Sequence, residues 1–265
     1  MDLQLAGKCA LVTGGSRGIG RAVARQLALE GARVAIAALD PDRLAQAAEA
    51  LSLEVGAPVF AVPTDTGDDA SVKAMVGAVA AEFGGLDILV NAAAKPASHG
   101  PAPRLAEVTD ELFWQDVNVK VMGYLRTARE AAPYMAANHW GRIINISGYN
   151  ARRAGSIIGS IRNVAVTAMT KNLADELGPA GINVTVVYPA ATRTERTEPM
   201  LADMAARAGV SVETVAQRMA SNAIGRIVDA SEIADVVAFL ASPRSVAISG
   251  DVIACGGGTL GPIYY

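Results

Sequence analysis

An open α/β domain is the fold class that this sequence predicts, with helices on both faces of a doubly wound, parallel, seven-stranded sheet. Short β-branched or apolar runs alternate with segments of helical periodicity almost to the end of the chain. No linker, repeat or low-complexity tract interrupts that alternation. Because strands that alternate with helices imply right-handed crossovers and a parallel sheet, we expect residues 1–265 to form a single domain.

Seven short runs, rich in β-branched and other apolar residues, are the predicted strands. They cover residues 8–13, 33–38, 58–62, 86–90, 141–147, 182–188 and 246–254. Near-continuous apolar runs of this length are typical of parallel strands that are buried on both faces. The carboxyl ends of such strands share one edge of the sheet, so the ligand site is expected there.

The segments between the strands carry apolar residues at 3.6-residue spacing, which predicts amphipathic helices. Three apolar faces are clear: Val72, Met75, Val76, Val79 and Phe83; Val166, Met169, Leu173 and Leu177; and Ile233, Val236, Val237 and Leu240. Residues 194–222 are also helical in composition, but they lie as an insertion between a strand and the last helix. Because ligands bind beyond the carboxyl ends of the strands, we expect this insertion to form a substrate lid.

Composition and charge exclude several classes of function. The formal charge of −3 and the absence of any block of Lys or Arg argue against a nucleic-acid partner. No apolar run is long enough to span a bilayer, and the N-terminus lacks the pattern of an export signal, so we expect a cytoplasmic protein. The two cysteines, Cys9 and Cys255, lie in apolar runs, as small buried side chains do in a reducing compartment. No His/Cys cluster has metal-ligand spacing, so no metal is expected.

A glycine-rich turn follows the first predicted strand and precedes a helix. Its residues are Gly14, Gly15, Ser16, Arg17, Gly18, Ile19 and Gly20. Glycines let the backbone approach a pyrophosphate, and a helix N-terminus offers unpaired N–H groups and the positive end of its dipole. A strand on one side and a helix on the other, in the first βαβ unit, is the context that dinucleotide binding requires. We therefore predict a Rossmann-type site for a nicotinamide dinucleotide.

The spacing Thr13-Gly14-x-x-x-Gly18-x-Gly20 resembles the TGxxxGxG motif of the short-chain dehydrogenase/reductase family. Further motifs that resemble this family follow in order over nearly the whole chain. They are Asp65, Asn91-Ala92-Ala93-Ala94 in place of Asn-Asn-Ala-Gly, Asn118, Pro189-Ala190 in place of Pro-Gly, Thr194, Gly225-Arg226, Ser249-Gly250 and Gly256-Gly257. The resemblance implies cofactor contacts from Gly14, Ser16, Arg17, Gly18, Ile19, Gly20, Asp65, Thr66, Asn91, Ala92, Asn163, Pro189 and Thr194. It also implies a homotetramer.

The choice between the two nicotinamide cofactors depends on the end of the second strand. A carboxylate there would bind the ribose 2′-OH of NAD and repel a 2′-phosphate. The matching positions are Ala38 and Leu39, and Asp40 comes one residue late. Arg17 is either the partner of a 2′-phosphate or a solvated loop cation, and the second basic residue usual at the Leu39 position is absent. These residues favour NADP(H) over NAD(H).

The catalytic motif of the family is not kept. The resemblance implies hydride transfer between nicotinamide C4 and a carbonyl or alcohol carbon, with a tyrosine as proton donor, a lysine four residues later, and a serine that polarises the substrate oxygen. The run that starts at Asn163 matches the run that normally starts at the lysine. The tyrosine and serine positions then fall on Gly159 and Gly148, and the segment contains no Tyr-x-x-x-Lys pair.

Four residues are candidates for a rearranged catalytic site: Asn118, Ser147, Tyr149 and Asn163. Asn118 matches the active-site asparagine of the family, Ser147 lies one residue before the lost serine, and Tyr149 carries a phenol beside it. Asn163 can hydrogen-bond the ribose but lacks the charge of a lysine. Tyr149 has a plain alternative as a packed or exposed loop residue. Less specific candidates are Lys95, His99, Arg152, Arg153 and Arg162.

Two functions stay open. One is an NAD(P)(H)-dependent oxidoreductase that acts on a small carbonyl or alcohol substrate with non-standard catalytic residues, where proximity of substrate and nicotinamide retains much of the rate advantage. The other is a catalytically inactive dinucleotide-binding homologue that serves as a sensor, scaffold or partner subunit. The intact glycine turn and the missing tyrosine keep both open, and the sequence does not name a substrate.

Overall fold

A seven-stranded parallel sheet forms the centre of the computed structural model, which describes residues 1–95 and 102–261. The nine strands in chain order are β1 (Cys9–Thr13), β2 (Arg33–Ala38), β3 (Val59–Pro63), β4 (Ile88–Asn91), β5 (Gly141–Ile146), β6 (Ile182–Pro189), β7 (Thr192–Arg193), β8 (Val228–Asp229) and β9 (Val252–Cys255). The sheet has the order β3-β2-β1-β4-β5-β6-β9, and β7 and β8 pair separately. The predicted doubly wound Rossmann fold is confirmed.

The helices cover both faces of this sheet. They are α1 (Gly18–Leu29), α2 (Pro41–Val55), α3 (Asp69–Phe83), α4 (Asp110–Val117), α5 (Gly123–Ala137), α6 (Ile157–Leu177), α7 (Thr197–Ala208), α8 (Val212–Met219) and α9 (Ala230–Ala241). Apolar residues of α1, α2 and α9 pack on one face, and those of α3, α5 and α6 pack on the other. The three predicted apolar faces are buried or partly buried in these cores, which confirms the helical periodicity.

The last predicted strand starts later than expected. The apolar run from residue 246 suggested a strand, but only Val252–Cys255 pairs with β6. The amide of Asn183 donates to the carbonyl oxygens of Val246 and Ile248, which ties this segment into a turn, and Gly250 has a left-handed φ of 75°. The apolar residues before β9 therefore belong to a turn whose backbone is held by a side chain.

The sheet topology determines where a ligand binds. From β1 the chain proceeds outward through β2 and β3, and β4 then lies on the other side of β1. The order of the strands therefore reverses between β1 and β4, and the crevice beyond their carboxyl ends is the expected ligand site of an open α/β sheet. The glycine turn follows β1, and Asn91 ends β4.

The insertion 194–222 contains α7 and α8, as its composition predicts. A small apolar cluster of its own, which includes Leu201, Ala205 and Val215, holds the two helices together and contacts Ile227. Among the described residues, no helix has the length and apolar character needed to cross a membrane.

Candidate active site

A cavity of about 550 Å³ opens beyond the carboxyl ends of β1 and β4. Most of the residues expected to bind the cofactor line it: Gly14, Ser16, Arg17, Gly18, Ile19, Gly20, Asp65, Thr66, Ala92 and Thr194. Asn91, Asn163 and Pro189 were also expected there, but they are not among its lining residues. The cavity thus coincides with the switch point of the sheet and with the glycine turn.

Close packing explains why the turn needs glycine. Gly14 has a φ of +70°, and a Cβ there would lie 2.8 Å from the backbone carbonyl of Ala92. A Cβ on Gly20 would lie 2.3 Å from the carbonyl oxygen of Gly14. Since non-bonded carbon atoms need about 3.5 Å, neither position accommodates a side chain without moving the backbone. The turn therefore brings the start of α1 close against the loop that follows β4.

The loop after β4 is held by side chains from neighbouring strands. Thr13 Oγ1 accepts hydrogen bonds from the backbone N–H groups of Ala92 and Ala93, at 3.2 and 3.3 Å. The Asn91 side chain is fully buried: its Nδ2 donates to Asn145 Oδ1 at 3.0 Å, and its Oδ1 accepts from Thr127 Oγ1 at 2.7 Å. The Asn91 amide therefore links β4, β5 and α5 behind the cavity, and the residues after it form the cavity wall.

The end of the cavity next to β2 carries two cations. Arg17 and Arg43 both line it, together with Leu39 and Asp40. Asp40 caps α2 by accepting from the Arg43 backbone N–H at 3.0 Å, and its other oxygen lies 3.2 Å from the Arg43 guanidinium. Both oxygens of the Asp40 carboxylate therefore contact Arg43 at the start of α2. Arg43 was missed in the sequence because it lies in the first turn of a helix rather than at the strand end.

The opposite end of the cavity contains Lys120, which the sequence analysis also missed. Lys120 lies in a π-helical turn, Asn118–Met122, between α4 and α5, and it lines the cavity beside Ile146 and Ser147. It is only 4% exposed. Its Nζ donates to the carbonyl oxygen of Ser147 and to Oδ1 of Asn163, both at 3.0 Å. A lone lysine between two valines was the signal available in the sequence.

Burial lowers the pKa of Lys120 to about 7, because the charged ammonium loses its hydration. The positive charge of Arg162 lowers the pKa further, and the carboxylate of Asp116 opposes both effects. Arg162 and Asp116 form an ion pair that joins α6 to α4 next to the lysine. Both protonation states of Lys120 are therefore populated near neutral pH.

The four candidate catalytic residues of the sequence analysis divide into two groups. Ser147 and Asn163 lie together, since Ser147 Oγ donates to the Asn163 carbonyl oxygen at 3.1 Å, and both contact Lys120. Asn118 points elsewhere, with its Nδ2 donating to the Gly67 carbonyl oxygen at 3.0 Å. Tyr149 is buried in a short 3₁₀ turn and is not among the residues that line the cavity.

The two glycines predicted to stand at the family's serine and tyrosine positions are closely surrounded. A Cβ on Gly148 would lie 2.9 Å from Nδ2 of Asn163. A Cβ on Gly159 would lie 3.0 Å from Oγ of Ser156 and 3.3 Å from Nδ2 of Asn150. Other side chains therefore occupy the space beside both glycines.

The remaining candidates take different places. Lys95 lines the cavity and donates to Gln115 Oε1 at 2.6 Å. The Arg152 guanidinium stacks over the ring of Tyr188, and Arg153 is exposed. His99 lies outside the described residues.

Comparison with known proteins places this site in a family. Residues 14–259 match the family described as Enoyl-(Acyl carrier protein) reductase. The chain is 33% identical over 262 residues to the 3-oxoacyl-[acyl-carrier-protein] reductase of Escherichia coli, covering 95% of this chain and 97% of that one. It is 34% identical over 254 residues to a granaticin polyketide synthase putative ketoacyl reductase of Streptomyces violaceoruber, covering 94% and 92%.

A solved structure of another reductase has the same fold. The L-sorbose reductase of Gluconobacter frateurii, complexed with NADPH and L-sorbose, superposes with a TM-score of 0.90 at 30% identity, over 99% of this chain and 100% of that one. The fold, the glycine turn and these relatives together define a protein of the Rossmann type whose relatives are reductases. More specifically, the chain belongs to the short-chain dehydrogenase/reductase family.

Proposed function

We propose that the protein is an NADPH-dependent reductase of a small carbonyl compound, and that it works with non-standard catalytic residues. One observation carries this proposal. A single cavity joins the glycine turn to a wall of hydrogen-bonding groups, Ser147 and Lys120, at the end of β5. A protein that only bound the dinucleotide would have no need for a buried ammonium at this end, because burying a charge is costly.

The glycine turn and the loops around it fit a dinucleotide. The N–H groups from Ser16 to Ile19, at and just before the start of α1, would hold the diphosphate, as the helix dipole favours. The N–H of Gly15 is not available, because it donates to the carbonyl oxygen of Ala37 at 3.2 Å. Asp65 and Thr66 line the cavity beyond the end of β3, where the family resemblance expects the adenine. When bound, a reduced nicotinamide supplies the hydride, and the chain contributes orientation and a proton.

Arg17 and Arg43 support NADPH rather than NADH. Two guanidinium groups at the end of β2 would bind a 2′-phosphate by charge-assisted hydrogen bonds. The carboxylate that would bind a free 2′-OH is missing, because Leu39 stands at that position and Asp40 is engaged at the start of α2. The related L-sorbose reductase and an actinorhodin polyketide ketoreductase were both solved with NADPH.

The relatives support a ketone as the substrate. The three relatives described above are named as reductases of 3-oxoacyl, polyketide or sugar compounds. The second candidate, an inactive dinucleotide-binding homologue, is favoured by the glycines at the tyrosine and serine positions, Gly159 and Gly148. Measured turnover of a ketone by the purified protein distinguishes the reductase from the inactive homologue.

The experiment has two parts. NADPH and NADH are titrated into the purified protein by fluorescence, and NADPH oxidation is then followed with a panel of ketoses and 3-oxoacyl thioesters. We expect tighter binding of NADPH and reduction of at least one ketone. Binding without turnover of any carbonyl compound would favour the inactive homologue, and failure to bind either cofactor would refute both candidates.

The insertion 194–222 supports the proposed lid. Thr194, Glu195 and Arg196 line the cavity, and a Glu195 carboxylate oxygen accepts from the backbone N–H of Gly18 at 3.1 Å. That N–H is one of the groups expected to hold the diphosphate. Glu195 must therefore leave it when the cofactor binds, so the start of the insertion responds to the cofactor.

Exposed apolar side chains on α4 and α6 support the proposed homotetramer. Leu112 and Trp114 on α4, and Ile161 and Val164 on α6, are all among the exposed large hydrophobic residues. Such patches are typical of subunit contacts. Light scattering of the purified protein tests this assembly, which we place in the cytoplasm.

A further inference from the structure

The π-helical turn brings a lysine into the site from an unexpected element. In this turn the Asn118 side chain faces the loop after β3, whereas Lys120 is buried and faces the cavity. The turn is anchored at its end by Gly123, where a Cβ would lie 3.1 Å from Thr66. π-helical turns inside α-helices are frequent at functional sites. Lys120 therefore reaches the end of β5 from the α4–α5 side, opposite α6.

The hydrogen bonds of Lys120 place its charge beside the position of the lost lysine. Asn163 stands at that position on α6, and its Oδ1 accepts from Lys120 Nζ at 3.0 Å. The Ser147 carbonyl oxygen accepts a second N–H at 3.0 Å. An ammonium has three N–H donors. Within the described residues two of them are engaged, which leaves one for a ligand in the cavity.

The protonated form of Lys120 fixes the orientation of the Asn163 amide. Because an ammonium only donates, Oδ1 faces Lys120 in this state and the NH₂ group faces the other way. Nδ2 lies 2.9 Å from the point where a Cβ on Gly148 would stand. The space beside the lost serine is therefore next to an amide N–H donor.

On the basis of the proposed reductase function, we propose that Lys120 is the general acid of the reaction and that Asn163 is the positioning residue that holds its ammonium. Lys120 gives one N–H proton to the carbonyl oxygen of the substrate. A bound NADPH would supply the hydride to the carbonyl carbon, with the C=O π pair moving to oxygen, and would leave as NADP⁺. The ketone would thus become the alcohol, and the neutral Lys120 amine regains its proton from water.

The electrostatic surroundings suit this role. The pKa of Lys120 is lowered to about 7 by burial and by Arg162 on α6, and Asp116 on α4 partly offsets these effects. Asp116 and Arg162 neutralise one another as an ion pair. An acid is most effective when its pKa lies near the working pH, because it is then protonated and still releases its proton readily. A lysine with an ordinary pKa would hold its proton too tightly at neutral pH.

The test compares Lys120→Met with Lys73→Met, a control that removes an exposed lysine on α3. Each variant is mixed with NADPH and with a ketone that the wild type reduces, and the single-turnover rate is measured beside the Kd for NADPH. We expect Lys120→Met to lose about 100-fold or more in rate, the range for general acid catalysis, with a change in Kd below tenfold. Lys73→Met should match the wild type.

A loss below threefold in Lys120→Met would overturn the role of Lys120 and leave the reductase function standing. A wild type that binds NADPH but reduces no ketone would overturn the reductase function itself, and the general acid with it. If Lys120→Met fails to fold, the pH dependence of the wild-type single-turnover rate tests the role of Lys120 instead. A rate that falls above about pH 7 with one ionisation supports the general acid, and a flat profile overturns it.

Discussion

The two ends of the cavity differ in what builds them. At the end proposed for the diphosphate, the groups that would bind it are backbone N–H groups. The turn that carries them is closed by glycines, and a Cβ added to Gly14 or Gly20 would lie within 3 Å of neighbouring backbone atoms. At the end proposed for the nicotinamide the groups are side chains, and Gly148, Gly159 and Asn163 are the residues that the sequence resemblance matches to the family's catalytic positions. A site made of backbone has few alternatives, whereas a proton donor can be supplied by another element. Lys120 in the π-helical turn is such a replacement.

The largest expected effect is at the backbone end. Gly14→Ala adds a Cβ 2.8 Å from the Ala92 carbonyl group at a φ of +70°, so the turn has to open. We expect a loss of NADPH affinity of at least about 100-fold, since positive φ and close contact each disfavour a side chain. The matched control is Gly77→Ala on α3, where a Cβ meets nothing within 4 Å. Equal affinities in the two variants, measured by titration, would show that the turn does not hold the cofactor.

The next prediction concerns a variant that introduces the family's tyrosine and lysine at the end of the cavity built from side chains. Gly159→Tyr combined with Asn163→Lys would restore the Tyr-x-x-x-Lys pair, and an inactive homologue should gain activity from it. In this protein the new lysine would place a second ammonium beside Lys120, and like charges lower each other's pKa. The new tyrosine would also crowd Ser156 and Asn150.

We therefore expect the double variant to reduce ketones more slowly than the wild type, by about tenfold or more. Single-turnover rates at pH 7 measure the change, and Asn163→Gln serves as the neutral control. A rate above that of the wild type would mean that Lys120 does not replace the family lysine.

A smaller effect is expected at the 2′-phosphate. Arg17→Ala and Arg43→Ala should each weaken NADPH binding by about tenfold, because a charge-assisted hydrogen bond contributes about 1.5–3 kcal/mol. NADH binding should change little, and Arg25→Ala, whose arginine pairs with Glu54, should change neither. Titrations with both cofactors measure the ratio. An equal loss of affinity for NADH would show that the two arginines attract the cofactor by their charge in general and do not bind the 2′-phosphate specifically.

The smallest effect concerns stability. The pKa of Lys120 is about 7 in the folded protein and about 10.5 in the unfolded chain, so between these values the unfolded chain binds the additional proton. The free energy of unfolding should therefore rise with pH in this window, by up to about 1.4 kcal/mol per pH unit from this group. Urea titrations of the wild type and Lys120→Met at several pH values isolate the contribution. Parallel curves for the two proteins would contradict the lowered pKa.

Most of the fold could be predicted from the sequence, because apolar periodicity over many residues leaves little choice of element. The strand Arg33–Ala38 was predicted at its observed bounds. The start of β9 was not, because the apolar residues before it are held in a turn by Asn183 from another strand. Such a long-range side-chain contact has no local signal.

The glycine turn could be predicted for the same reason as the fold, since a glycine turn between a strand and a helix is a local pattern, and the structure has it at the wall of the cavity. Lys120 was not, because it comes from a segment outside the catalytic motif, and only folding brings it to Asn163 across 43 residues. Arg43 was also missed, because it lies in the first turn of α2 and not at the end of β2, where the family pattern has its basic residue. Sequence motifs identify groups in their usual places and overlook those supplied from elsewhere.

NMR titration of the lysine side chains, labelled with ¹³C at Cε, tests the central claim most directly because it needs no substrate. The resonance that disappears in Lys120→Met identifies the residue. We predict a midpoint near pH 7 and a change in that midpoint when NADPH is added. A midpoint near 10.5 that NADPH leaves unchanged would contradict the lowered pKa of Lys120 and its place beside the bound cofactor.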